Sequence, residues 1–213
     1  GEAYNAIIAD RNGFVGTVPD GIDGLLLKHC FQAYVDRKLY IHNLGHAACA
    51  YHGYSRGHTL ICDAVCDPAV FAESRAVMQE SARALSRRYP QELDAAGLAE
   101  HVADLLRRFG NQALGDTVFR VGRDLRRKLA PGDRMIGGLR LVQSEQGDIA
   151  PVCRAIAAAL QFAATDETGQ PFAPDVAFRV RLAEEGAEAV LCAHSGLDPM
   201  RDAAALRLIA AGG

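Results

Sequence analysis

The chain has 213 residues, 49% of them apolar, which suits one domain or a small pair and leaves ample material for a core. A net charge of −3 argues against a general nucleic-acid binder. No run approaches the ~18 apolar residues of a membrane-spanning helix. The start, Gly1-Glu2-Ala3-Tyr4, lacks the basic and apolar regions of a signal peptide, so a cytoplasmic protein is expected.

Residues 4–9 read as a short strand ended by Asp10-Arg11-Asn12-Gly13, and the Gly- and Pro-containing text through Gly24 reads as loop. From about Leu26 the pattern turns helical and is predicted to run to Tyr51 or His52, stopping before Gly53. Further helical texts fall at about 59–65, 68–88, 97–109, 149–163, 174–183, 185–194 and 198–211. Asp67-Pro68, Tyr89-Pro90, Gly110, Thr165 to Pro171 and Gly196 to Pro199 separate them. The expected architecture is mainly α: residues 1–24 as an interdomain strand and loop, 25–213 as a helical domain for catalysis and substrate binding. The six cysteines, at 30, 49, 62, 66, 153 and 192, sit mostly in apolar helical text, so reduced thiols are expected. Cys62 and Cys66 lie near His58, but no second pair at zinc-site spacing completes four ligands, and no metal is expected.

The most informative stretch is Arg37-Lys38-Leu39-Tyr40-Ile41-His42-Asn43-Leu44-Gly45-His46. In an α-helix, at about 100° per residue, Asn43 falls roughly 140° and His46 roughly 80° from Lys38, so the three share a face. The axial rise from Lys38 to His46 is roughly 12 Å, but helical side chains lean toward the N-terminus and the lysine stem is long, so one small polar ligand can touch all three. Such a trio suits proton removal from an alcohol, with lysine as base and the amide and imidazole as donors to the developing oxyanion. The bland reading of the same spacing is a solvated lysine, a satisfied core asparagine and a buried spectator histidine. His42 and Tyr40 fall on other faces. A second concentration of chemistry is Arg120, Arg123, Arg126, Arg127, Lys128 and Arg134, where a phosphate would be at home. Solvated cations at a helix end are the alternative.

Lys-x4-Asn-x2-His resembles the signature of the polyol-specific long-chain dehydrogenases. Arg37 through Ala47, the block Gly115-Asp116-Thr117-Val118-Phe119-Arg120-Val121-Gly122-Arg123 with Arg127-Lys128-Leu129 and Gly132-Asp133-Arg134, and Tyr4 through Arg11 are most similar to the mannitol-1-phosphate 5-dehydrogenase branch. The resemblance implies the helical C-terminal domain of the 6-phosphogluconate-dehydrogenase-like type and zinc-independent, NAD-dependent oxidation of a sugar-alcohol phosphate, mannitol 1-phosphate to fructose 6-phosphate. Lys38 would be the general base, Asn43 and His46 would hold the reacting oxygen, and Arg120 and Lys128 would contact the polyol. Arg123, Arg127 and Arg134 are then candidates for the phosphate.

No Gly-x-Gly-x-x-Gly follows a strand in this sequence, so nothing in it reads as a pyrophosphate cradle. A Rossmann domain is therefore absent from this chain. The expected partner is an N-terminal nucleotide-binding domain of the same polypeptide, without which the chain should turn over little or no substrate. Three alternatives stay open: a dehydrogenase for free mannitol, one for a sugar acid such as altronate or mannonate, and a non-catalytic helical module for an anionic ligand.

Overall fold

The computed structural model describes residues 7–16 and 21–212; Tyr4, Asn5 and Ala6, the first half of the predicted strand, lie outside them. The described part of that strand is β1 (Ile7–Asp10). It pairs in parallel with β2 (Leu25–Lys28), in a register running from Ile7 opposite Leu25 to Asp10 opposite Lys28. β2 occupies text expected to begin a helix. Leu25-Leu26-Leu27-Lys28 is a short apolar run whose periodicity suits either state, and only its pairing partner decides.

The rest is helical. α1 (Phe31–Arg37), a turn at Lys38–Asn43 and α2 (Leu44–Ser55) form one rod, followed by α3 (Ile61–Cys66), α4 (Pro68–Arg88) and α5 (Ala95–Phe109). Next come the short α6 (Val118–Gly122) and α7 (Leu125–Lys128), then α8 (Arg134–Ser144), α9 (Ala150–Leu160), α10 (Ala173–Glu185), α11 (Ala187–Ser195) and α12 (Ala203–Ala211). Local chemistry sets several starts. Asp67 caps α4 by accepting from the Ala69 amide with Pro68 in the first turn, and Asp94 caps α5 by accepting from Gly97. α5 buries Leu98, Val102, Leu105, Leu106 and Phe109, a stripe at helical spacing.

α2 is the centre of the core. Leu44, Ala47, Ala48, Cys49, Ala50 and Tyr51 are fully buried, and the helix packs against α3, α4, α6 and α9. A helix buried almost all round needs small residues where neighbours cross. Gly53, expected to end this helix, instead lies inside it because a Cβ there would stand 2.7 Å from that of Ala64 in α3. Each large side chain sunk this way contributes about 1.5–3 kcal/mol. Tyr51 also donates its hydroxyl to the Gly122 carbonyl at 3.0 Å, which ties the core to the end of α6.

The helices α6, α7 and α8 were not marked in the sequence. Gly137 and Gly138 lie within α8, where they serve close packing.

Candidate active site

The site begins with a change of winding. Between the α-helical segments α1 and α2, residues Lys38–Asn43 form a π-helical turn. In π winding the backbone bonds span five residues rather than four, so residues five apart stack as residues four apart do in an α-helix. Lys38 and Asn43 are five apart. The wide angle expected between them on α geometry is thereby largely removed, and both line one cavity of about 420 Å³ together with Phe31, Leu39, His42 and His101.

Packing seats this turn. Tyr40 and Leu44 lie directly on Gly137 and Gly138 of α8: a Cβ at 137 would be 2.7 Å from the Tyr40 ring, and one at 138 would be 2.6 Å from Leu44 Cδ2. Ile41, between them, is fully buried. Lys38 stands exposed on the cavity rim, while Asn43 and His42 are half-buried.

His46 lies behind that wall. Its ring stacks on Phe109 with centroids 4.6 Å apart, His42 is 6.1 Å away, and Nε2 is 3.4 Å from Asp116 Oδ2. Burial above all, then the charges of His42, Arg120, Lys128 and Arg134, push its pKa down to about 3. The imidazole is thus neutral near pH 7, with one donor and one acceptor nitrogen. Asp116 is bound on its other side by Arg120, which limits what its charge can do for His46.

Lys128, although charged by type, is only 3% exposed. Its Nζ donates to the Val121 carbonyl at 2.5 Å and to the Arg123 carbonyl. Burial first, then Arg134 and Arg127, lower its pKa to about 7. The short helix that carries it is pinned from a distance: Asp175 of α10 accepts from the backbone N–H groups of Asp124 and Leu125 at 2.9 and 2.7 Å. Asp124 itself sits in the left-handed region at φ 73°.

The arginines of this stretch are already engaged. Arg127 bonds Asp124 at 2.6 Å and reaches Asp133 at 3.4 Å, and Arg134 shares Asp133 at 2.8 Å. Arg123 lies over the rings of Phe119 and Phe172, 5.6 and 5.5 Å from their centroids. The structure therefore joins Lys38 and Asn43 in one cavity and places Arg120, Lys128 and Arg134 within electrostatic reach of His46. It leaves Arg123, Arg127 and Arg134 bound to rings or carboxylates.

Three contributors escaped the sequence reading. Asp116 had a faint signal, a carboxylate four residues before Arg120. Asp175 had none, because its partners are about fifty residues away. His101, on α5, enters the cavity wall only through the packing of α5 against the π-turn.

A nicotinamide dinucleotide does not fit onto the described residues alone. Among them no glycine-rich turn leads from a strand into a helix, so none can cradle a pyrophosphate.

The family model described as the mannitol dehydrogenase C-terminal domain matches residues 31–204. Among solved structures, D-sorbitol dehydrogenase in substrate-free form superposes with a TM-score of 0.67 over 96% of this chain at 18% identity. The Pseudomonas fluorescens mannitol 2-dehydrogenase ternary complex with NAD and D-mannitol gives 0.53 over 88% at 19% identity. This chain covers 42% of each of those chains. The mostly helical fold is the one they share, and the matched span holds Lys38, Asn43, His46 and the stretch to Arg134: the chain belongs to the mannitol dehydrogenase C-terminal domain family of the polyol dehydrogenases.

Proposed function

We propose that this chain is the catalytic half of an NAD-dependent polyol dehydrogenase that oxidises mannitol 1-phosphate to fructose 6-phosphate. The observation that carries the reading is the π-turn, which sets an amine and an amide side by side on one cavity in a domain of this family. Lys38 takes the proton of the reacting hydroxyl. Asn43 and the neutral imidazole of His46 hold the oxygen as its charge develops. Arg120 and Lys128, expected to contact the remaining hydroxyls, are held by Asp116 and by the Val121 and Arg123 carbonyls and reach a substrate only by exchanging those partners. Arg123, Arg127 and Arg134, the phosphate candidates of the sequence, reach a substrate only by exchanging their present partners.

The residues of this chain supply the proton chemistry; the NAD belongs to a nucleotide-binding unit of the same polypeptide. The chain alone has little or no turnover.

In the complete polypeptide, Lys38→Ala is expected to lower kcat by about 10²- to 10⁴-fold while NAD affinity changes little. Undiminished turnover removes Lys38 from the mechanism.

A further inference from the structure

We propose that Lys28 and Arg37, which converge on Tyr34 at the mouth of the Lys38 cavity, and His101 in its wall form an anion subsite for the terminal phosphate of an open-chain sugar alcohol. The identity of the ligand rests on the polyol dehydrogenase reading; the existence of the subsite does not.

None of the ten described residues lining the cavity is acidic, in a chain whose net charge is −3. Lys28 Nζ and the Arg37 guanidinium each lie 5.0 Å from the Tyr34 ring centroid, so the two like charges are at most about 10 Å apart. Cation–π attraction offsets part of that repulsion, and an anion between the two cations would remove it. No carboxylate does so among the described residues. Asp10, opposite Lys28 in the strand pair, turns back to accept from the Asn12 amide at 2.9 Å. Asp36 accepts from Gln32 and Tyr89, and Asp104 pairs with Arg107 and Arg108. Glu92 accepts from the Tyr34 hydroxyl at 3.3 Å.

The contrast with the arginine-rich stretch is direct, because there Asp116, Asp124 and Asp133 already pair with Arg120, Arg127 and Arg134. His101 adds a donor. Burial, then the charges of Arg37 and His42, lower its pKa to about 4, and Arg37 and His101 line the same cavity. A carboxylate is satisfied by one guanidinium fork, whereas two cations and an imidazole suit the doubly charged oxygens of a phosphomonoester. Lys38 and Asn43 occupy the same cavity, so the anionic end and the reacting alcohol of one extended chain would be held at separate points of a single site.

The test titrates the protein with inorganic phosphate, mannitol 1-phosphate, mannitol and mannonate, by calorimetry and by the ring-proton resonances of His101. Mannitol 1-phosphate is expected to bind about tenfold or more tightly than mannitol, and either phosphate to raise the His101 pKa. The double variant Lys28→Gln, Arg37→Gln should bring that ratio close to one, with a melting curve to confirm folding. A ratio that survives the double variant, or that collapses in Arg123→Gln or Arg127→Gln instead, overturns the location. Mannonate binding as tightly as mannitol 1-phosphate overturns the assignment to phosphate. A wild-type ratio near one overturns the subsite, and Lys38-dependent turnover of mannitol by the complete polypeptide would then leave the dehydrogenase reading standing. Phosphate preference that depends on Lys28 and Arg37, in a polypeptide without polyol turnover, supports the subsite and removes the dehydrogenase.

Discussion

Lys38 and Asn43, five residues apart, face the same cavity because the helix between them is π-wound. π-turns of this kind are uncommon and cluster at functional sites, since they lack the close packing of the α-helix and must be supported from outside. Here the support is α8, which brings two adjacent glycines under Tyr40 and Leu44.

That support can be tested by filling it. Gly138→Ala is expected to cost about 1–3 kcal/mol of stability in urea titration, because Leu44 is buried and has little room to retreat. Gly137→Ala should displace Tyr40 and, with it, the turn. In the complete polypeptide its kcat for the polyol should fall more than its KM rises. Unchanged stability and turnover in both variants would show that the turn keeps its winding without the glycines.

Lys128 should make stability depend on alkaline pH. Its folded pKa, about 7, lies below the ordinary 10.5, so between these values the unfolded chain binds a proton that the folded chain does not. Stability contributed by this residue therefore rises with pH across that window, by at most ~1.4 kcal/mol per pH unit. Melting curves of wild type and Lys128→Met at pH 7, 8 and 9 check it: their difference should change with pH, and parallel curves would contradict it.

His46 and His101 act at the acid end. Burial leads in lowering both, to about 3 and about 4 from an ordinary 6.5. Each contributes stability that is present above pH 6.5 and lost as pH falls toward the folded value, because only the unfolded chain binds the proton in between. His101→Gln and His46→Gln should each flatten the loss between pH 6.5 and 4, measured by urea titration at several pH values. A slope identical to wild type in both would show that neither ring is held neutral.

Asp202, 1% exposed, accepts from both terminal nitrogens of Arg140 and from the Asp198 amide. Its pKa is lowered to about 2, chiefly by Arg140. It ties the start of α12 to α8. Asp202→Ala is expected to cost about 3 kcal/mol, the low end for breaking a buried pair, since Arg140 keeps some contact with water. A change below the error of chemical denaturation would mean that the pair is replaced by solvent.

Residue order alone was enough for whatever depends on near neighbours. Capped, periodic stretches such as Pro68–Arg88 and Ala95–Phe109 announce their helices, and the lysine, asparagine and histidine types at their spacing announce the family. What depended on distant partners was illegible. Leu25–Lys28 becomes a strand only beside Ile7–Asp10. Gly53 read as a helix end, and the packing roles of Gly137 and Gly138 went unread, because their neighbours in space, Ala64, Tyr40 and Leu44, are not their neighbours in the chain. The arginine-rich stretch read as open charge until Asp116, Asp124 and Asp133 were placed against it, and only the fold sets both Lys28 and Arg37 over the Tyr34 ring. Helical periodicity is a property of a few consecutive residues, so a linear reading captures it. The winding of the rod at Lys38 and the balance of charge around it are set by packing across the core, which only the folded chain brings about.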